Sequence, residues 1–175
     1  MLPAPGTVLV ASRQLGDASF MRTVVYLVEH DAGGSLGFIV NRPLEVVLGD
    51  LWQDCPGELS GISIAAEGGP VDRHKGLLLH GCPEVSGAQP MSPGVAVGGD
   101  LDELVKRFAG GPGPLGPRLF LGHSGWSAGQ LTAEIAQGAW VVRPASADIL
   151  LTVRPPAGLW QQLLDGGTLP EPSLN

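Results

Sequence analysis

The stretch RTVVYLVEHDAGGSLGFIVN, residues 22–41, decides the fold class of this chain. Residues 22–30 and 35–41 are rich in β-branched, aliphatic and aromatic side chains, which is typical of β-strands. Between them, Asp31-Ala32-Gly33-Gly34 supplies residue types that favour a turn. The stretch therefore predicts a β-hairpin with a loop of about four residues.

On both sides of the hairpin, short apolar segments are separated by glycine and proline. Further strands are predicted for the aliphatic runs at residues 6–11, 76–81, 93–98, 118–121 and 138–143. Helices are predicted where apolar residues recur at helical spacing: within 44–52, from Asp100, over 127–137, and from Pro155 or Pro156 to Gly166-Gly167. Because strands and helices do not alternate regularly, this order predicts an α+β fold with a mixed, mainly antiparallel sheet.

The composition predicts one soluble domain spanning residues 1–175. Hydrophobic residues make up 43% of the chain and charged residues only 15%, so a substantial core is expected. A net charge of −7 without any basic run disfavours direct nucleic-acid binding, because neutralising phosphates supplies most of that affinity. Finding no secretory signal and no membrane-spanning run, we expect a cytoplasmic protein whose Cys55 and Cys82 are reduced.

Residues 125–129, Gly-Trp-Ser-Ala-Gly, match the G-x-S-x-G pattern of a hydrolase nucleophile elbow. That fold places its catalytic histidine after the serine, whereas all four histidines here precede Ser127: His30, His74, His80 and His123. The preceding strand is also predicted to end near Leu121, which leaves a loop of about five residues instead of a sharp turn. The pattern therefore does not predict a nucleophile.

A helix cap accounts for the same residues. Ser127 and Gln130 have the S-x-x-Q spacing of a capping box, in which the serine hydroxyl accepts from the Gln130 amide and the Gln130 side chain reaches back. We therefore predict that Ser127 caps the helix over residues 127–137 and that Trp126 anchors this segment in the core.

Other motifs are weaker. Residues 111–116 match G-x-G-x-x-G in letters, but they follow a predicted helix and contain two prolines, which lack the backbone donors that a dinucleotide site needs. His30, His74 and His80 lack the spacing of metal ligands. The sequence therefore predicts no cofactor and no metal site.

Planar polar side chains next to glycine-rich turns remain as a candidate binding site. Asn41-Arg42-Pro43 follows the hairpin, and Arg73 follows Gly68-Gly69-Pro70. Amide and guanidinium groups of this kind bind carboxylates and phosphates, and Arg13, Arg22, Arg42 and Arg73 together could attract a small anion. In the alternative interpretation, Asn41 closes a turn and the arginines pair with acidic residues, namely Glu29, Asp50 or Asp72.

The chain resembles the YqgE/AlgH family in the order and content of its motifs, from about Gly6 to Trp160. One departure from the family pattern is Ser12-Arg13, where Met-Pro is frequent. The blocks that carry the resemblance are Phe20-x-Arg22-x-Val24-Val25-Tyr26-Leu27-x-Glu29-His30, Gly37-x-Ile39-x-Asn41-Arg42-Pro43, Gly68-Gly69-Pro70-Val71 with Leu78-x-His80, and Gly125-Trp126-x-Ala128-Gly129-Gln130-Leu131 with Glu134 and Trp140.

This resemblance implies a bacterial cytoplasmic protein whose bifurcated sheet forms a pseudo-barrel with surrounding helices. Some family members carry a regulatory label that concerns exopolysaccharide control. We therefore expect a non-enzymatic protein that acts through a protein partner or a small anionic ligand, and the alternative is a hydrolase with His80 or His30 as base. The candidate site residues are the polar positions of the motifs: Arg22, Glu29, His30, Asn41, Arg42, Arg73 and His80.

Overall fold

The computed structural model describes residues 1–166. Strands within this range are β1 (Val8–Ala11), β2 (Val24–Asp31), β3 (Gly34–Ile39), β4 (Ala65–Glu67), β5 (Val71–His80), β6 (Gln89–Ser92), β7 (Val95–Val97), β8 (Arg118–Ser127) and β9 (Trp140–Arg143). Helices within it are α1 (Leu48–Leu51), α2 (Leu101–Phe108), α3 (Gln130–Ala136), α4 (Ala147–Leu151) and α5 (Leu159–Asp165).

The hairpin of β2 and β3 is confirmed. The strands pair antiparallel up to Asp31 opposite Gly34, so only Ala32 and Gly33 form the loop, which is shorter than predicted. The register shifts between Leu27 and Glu29, which marks a bulge in β2.

The sheet follows the order β6-β7-β5-β8-β3-β2-β1-β9, and β4 adds a parallel pairing to β8. All other pairs are antiparallel, which confirms the predicted mixed, mainly antiparallel α+β fold. The second half of β8 pairs with β3, whereas its first half pairs with β4. After Gly37, β3 no longer pairs with β8. There β3 bonds to the segment that follows β4, and the Ile39 amide donates to the Gly68 carbonyl at 2.8 Å. The sheet is therefore bifurcated.

The sheet curls into a half-barrel around the largest hydrophobic cluster. Leu150 of α4 and Leu159 of α5 lie in the same buried cluster as Val24, at the start of β2, and Val40. The two helices therefore fill the interior at the end where β2 begins. Further along β2, the Tyr26 hydroxyl lies 2.6 Å from the Ser92 hydroxyl of β6 and joins two distant strands.

A second buried cluster lies on the other face of the sheet, under α3. Trp126 and Trp140 pack edge to face with ring centres 5.8 Å apart, and Phe20 lies 6.0 Å from Trp126. Both indole N–H groups donate to one carboxylate oxygen of Glu134, at 3.1 and 2.9 Å. The prediction that Trp126 anchors this segment in the core is confirmed, because the residue is only 5% exposed.

The predicted boundaries around Ser127 were wrong. β8 continues through Ser127, so no loop separates it from Leu121, and α3 begins at Gln130 with Gly129 in the capping position at φ 76°. One half of the predicted capping box is present, because the Gln130 side chain accepts from the Ser127 amide at 2.9 Å. The other half is absent. The Ser127 hydroxyl lies 3.3 Å from the same Gln130 oxygen, and no side chain caps α3.

Three short elements were not predicted: β4, β6 and α4. Each has five residues or fewer, a length that leaves little periodic signal in the sequence. The last helix begins at Leu159, after the prolines, and Gly167 lies outside the described residues. Both cysteines are free, and no helix within residues 1–166 has the length and apolar character to cross a membrane.

Tyr26, the only tyrosine of the chain, gives the fold a measurable pH dependence. Burial raises its pKa above the ordinary 10.0, and the hydrogen bond to Ser92 only partly offsets this. The folded protein thus retains the phenolic proton longer than the unfolded chain does. We predict that the free energy of unfolding is undiminished below the unfolded-state pKa of about 10 and falls as the pH rises from there through the folded-state pKa.

This prediction is checked by an ultraviolet titration of tyrosinate in the native protein, together with urea unfolding at several alkaline pH values. The native midpoint should lie above the ordinary value, and Tyr26→Phe should remove its share of the alkaline loss of stability. A native midpoint at or below the ordinary value would mean that the phenol is not buried as described.

Candidate functional site

Arg22 and Asn41, two of the predicted site residues, lie together. The Asn41 carboxamide accepts from the Val24 amide at 2.9 Å and donates to the Arg22 carbonyl at 3.0 Å. Arg22 has φ 58°, in the left-handed region that is costly for a residue with a side chain. Asn41 thus bonds to backbone, as the alternative interpretation expected, and fixes the turn that presents Arg22.

The side chains of Arg13 and Arg22 both lie near the indole ring of Trp160 in α5. Their guanidinium carbons lie 5.7 and 5.9 Å from the centre of the indole ring, a distance at which a cation is attracted to the aromatic face. The indole N–H donates to the Ala11 carbonyl at 2.6 Å, which fixes the ring against the end of β1. The two cations therefore share one rigid aromatic support.

These side chains line a cleft of about 430 Å³, which we call the Arg13–Arg22 cleft. Ser12 also belongs to the lining, and its hydroxyl oxygen is buried without a hydrogen-bond partner in the part of the chain that the structure describes. Asp165 approaches Arg13 at 3.4 Å, but both side chains are more than 60% exposed, so the pair is weak. The remaining lining residues are Leu15, Met21 and Gln161.

His30 and Glu29 lie near the turn of the β2–β3 hairpin, at the opposite end of β2 from Arg22. His30 Nδ1 is 2.7 Å from the Ser35 hydroxyl, directly across the strand pair. Glu29 is exposed and borders a shallow depression of about 530 Å³ together with Asp31, Ser35 and His123. A serine and a histidine in contact beside an open depression resemble the first two members of a hydrolytic triad.

His80 is completely buried at the end of β5. Its Nδ1 accepts from the Cys82 amide at 3.1 Å, so the proton resides on Nε2, which donates to the Gly98 carbonyl at 2.7 Å. Both ring nitrogens are occupied by backbone groups. This geometry gives His80 a role in holding β5 to the segment after β7.

Arg42 and Arg73 do not line the Arg13–Arg22 cleft. The main chain of Arg42 accepts from the Glu67 amide at 2.9 Å where β3 crosses to β4, and Arg73 is exposed in the first half of β5. The predicted pairing of arginines with Glu29, Asp50 or Asp72 was wrong, because within residues 1–166 Asp72 pairs with Lys75 and neither of the others has an ion-pair partner.

Sequence reasoning did not identify Ser12 and Trp160 as site residues. Trp160 belongs to the apolar stripe of the last helix, a pattern that indicates core packing and gives no sign of contact with the first strand. The one available signal was Ser12-Arg13 itself, because the resemblance to the YqgE/AlgH family implies Met-Pro at this position. A serine and an arginine at that position place polar groups at the end of β1.

Comparison with known proteins agrees with this architecture. The family model described as AlgH-like (DUF179) matches residues 8–168. A UPF0301 protein from Myxococcus xanthus is 37% identical over 175 residues, which cover 93% of this chain and 90% of the relative. Another, from Alcanivorax borkumensis, is 35% identical over 154 residues, with 85% and 81% covered.

Two solved structures have similar folds. The solution structure of the AlgH protein from Pseudomonas aeruginosa has a TM-score of 0.73 at 30% identity, covering 97% of this chain and 93% of that one. A crystal structure of a protein from Corynebacterium diphtheriae has a TM-score of 0.75 at 24% identity, with 97% and 90% covered, and shows the fold alone. This chain belongs to the AlgH-like family.

Proposed function

We propose that this protein is a non-enzymatic, regulatory binding protein that takes up a small oxyanion, a carboxylate or a phosphate group, in the Arg13–Arg22 cleft. The observation that carries the proposal is the convergence of two guanidinium groups on the Trp160 ring, at 5.7 and 5.9 Å, in a protein whose net charge is −7.

The electrostatics of the cleft favour an anion. Two like charges near one ring repel each other, and the exposed Asp165 only weakly offsets Arg13. An oxyanion between the arginines would turn this repulsion into attraction and accept paired N–H bonds from each planar guanidinium.

The cleft is also held in place before any ligand arrives. Asn41 bonds to both sides of the Arg22 turn, and the indole of Trp160 is tied to the Ala11 carbonyl. A non-glycine residue held at φ 58° costs free energy that a glycine would avoid. An arginine at such a position supports a role for its side chain in binding, because ordering the cleft in advance lowers the entropic cost of association.

A calorimetric titration with inorganic phosphate and with acetate tests the proposal. The variant Arg22→Gly removes the guanidinium while glycine still accepts the left-handed turn, so the fold is retained. Because a charge-assisted hydrogen bond is worth about 1.5–3 kcal/mol, we expect Arg22→Gly to weaken anion binding by roughly 10- to 100-fold.

Arg107→Ala is the matched control, since it removes one exposed arginine of α2 that does not line the cleft, with the same change in net charge. It should bind the anion as the unmodified protein does. Equal weakening of anion binding in both variants would mean that net charge, and not the cleft, determines the affinity. Absence of saturable binding in the unmodified protein would refute the proposal.

A hydrolase with His30 as base is the second candidate, favoured by the 2.7 Å contact between His30 Nδ1 and the Ser35 hydroxyl. It predicts that a fluorophosphonate probe labels Ser35 stoichiometrically and that Ser35→Ala or His30→Ala abolishes labelling. Ser127→Ala serves as the control, because the Ser127 hydroxyl contacts Gln130 and no histidine. Labelling that persists in Ser35→Ala would exclude this mechanism.

A further inference from the structure

The half-barrel has an open mouth at the end opposite α4 and α5. The recess there has a volume of about 290 Å³ and shares no residue with the lining of the Arg13–Arg22 cleft. Six of its eight lining residues are apolar, among them Phe38, Leu77, Met91 and Val97, and its two polar members are Glu29 and Gln89. Barrel mouths with apolar walls and a few polar groups are common sites for small ligands.

The recess is closed at the bottom. The hydrogen bond between Tyr26 of β2 and Ser92 of β6 lies deeper along the same strands than Glu29 and Gln89, and beyond it the interior is filled by Leu150 and Leu159. A ligand could therefore enter from the mouth alone, to the depth of Tyr26.

The bulge in β2 explains how an acidic residue comes to line this recess. Successive side chains of a regular strand point to opposite faces of the sheet. The register shift between Leu27 and Glu29 interrupts that alternation, and both Val28 and Glu29 line the recess. Bulges that redirect one side chain in this way are frequent next to functional sites.

The charge of the recess is uncompensated. Glu29 is the only ionisable residue among the lining residues, and within residues 1–166 its carboxylate has neither an ion-pair partner nor a hydrogen bond. The Gln89 carboxamide opposite can accept from a donor but carries no charge. A recess with six apolar lining residues and one acidic residue without an ion-pair partner is complementary to an aliphatic chain that ends in an ammonium group.

We propose that the mouth of the half-barrel binds a primary alkylammonium ion, with its chain against Phe38, Leu77 and Met91 and its ammonium group on the Glu29 carboxylate. The site is separate from the proposed oxyanion site, so either can fail without the other. Burying each additional methylene should raise the affinity about fourfold until the recess is full.

The test titrates the protein with butyl-, pentyl- and hexylammonium chloride and follows the backbone amide resonances by NMR. We expect saturable shifts at Gln89, Met91 and Val97, an affinity that rises about fourfold per methylene, and weaker binding of hexanol and hexanoate. Glu29→Gln keeps the shape of the side chain and should weaken hexylammonium binding by at least about tenfold, with hexanol unaffected.

Asp31→Asn is the matched control, because it neutralises the neighbouring exposed carboxylate, which does not line the recess. It should leave hexylammonium binding unchanged. The proposal would be overturned by shifts that map away from the recess, by absence of saturation, or by equal binding of hexanol and hexylammonium that Glu29→Gln does not alter.

Discussion

Replacing Arg118 with alanine should lower the free energy of unfolding by about 3–5 kcal/mol. The side chain is completely buried and donates to the Val40 carbonyl at 2.8 Å and the Leu150 carbonyl at 3.1 Å. It thereby joins the start of β8 to the end of β3 and to α4. Its guanidinium also lies 4.8 Å from the Phe120 ring centre, so alanine would leave a cavity as well as two unpaired carbonyls.

Urea unfolding of Arg118→Ala and Arg118→Met separates the cost of the cavity from the cost of the two unpaired carbonyls. Burial lowers the pKa of Arg118 to about 10, so the group remains charged at neutral pH, and within residues 1–166 no carboxylate forms an ion pair with it. Methionine removes this desolvation cost and fills most of the volume, so we expect it to lose only about 1–2 kcal/mol. A loss below about 1 kcal/mol for alanine would show that Arg118 does not tie α4 to the sheet.

Replacing Trp126 with alanine should cost about 3–5 kcal/mol, through the cavity that it leaves under α3. The indole packs against Phe20 and Trp140 and donates to Glu134. The same Glu134 oxygen accepts from Trp140, so the loss of Trp126 also loosens the contact between α3 and β9.

Trp126→Phe is the control, because it keeps an aromatic ring and removes the N–H donor. Its expected cost is about 1–2 kcal/mol, the value of one hydrogen bond to a charged group plus a small packing defect. The measurement is again urea unfolding of both variants. Equal costs for alanine and phenylalanine would mean that the hydrogen bond, and not the packing, holds this segment.

The hairpin and the fold class could be predicted because their signal is local. β-Branched residues in 22–30 and the turn at 31–34 act over a few positions. The full length of β8 could not be predicted, because the aliphatic run ends at Leu121 and the glycine that follows it is typical of a loop. A side chain at Gly122 would collide with the carbonyl oxygen of Gly69, so this glycine permits close approach of two backbones inside the sheet.

The candidate site was predicted only in part. Arg22 and Asn41 were recognised from their motif, and the structure brings them together through the Arg22 carbonyl. The contribution of Trp160 depends on its contact with Ala11, 149 positions away in the chain, and no local pattern encodes such a contact. For His80 the motif predicted a site residue that the structure places in the core. Both of its ring nitrogens form hydrogen bonds to backbone groups.

The most direct test of anion binding in the Arg13–Arg22 cleft follows the arginine side-chain Nε–H resonances by NMR during a titration with inorganic phosphate. We predict that the Arg13 and Arg22 resonances move together along one saturation curve while those of Arg107 and the buried Arg118 stay fixed. Phosphate binding that leaves Arg13 and Arg22 unmoved, or shifts that increase without saturation, would contradict the account.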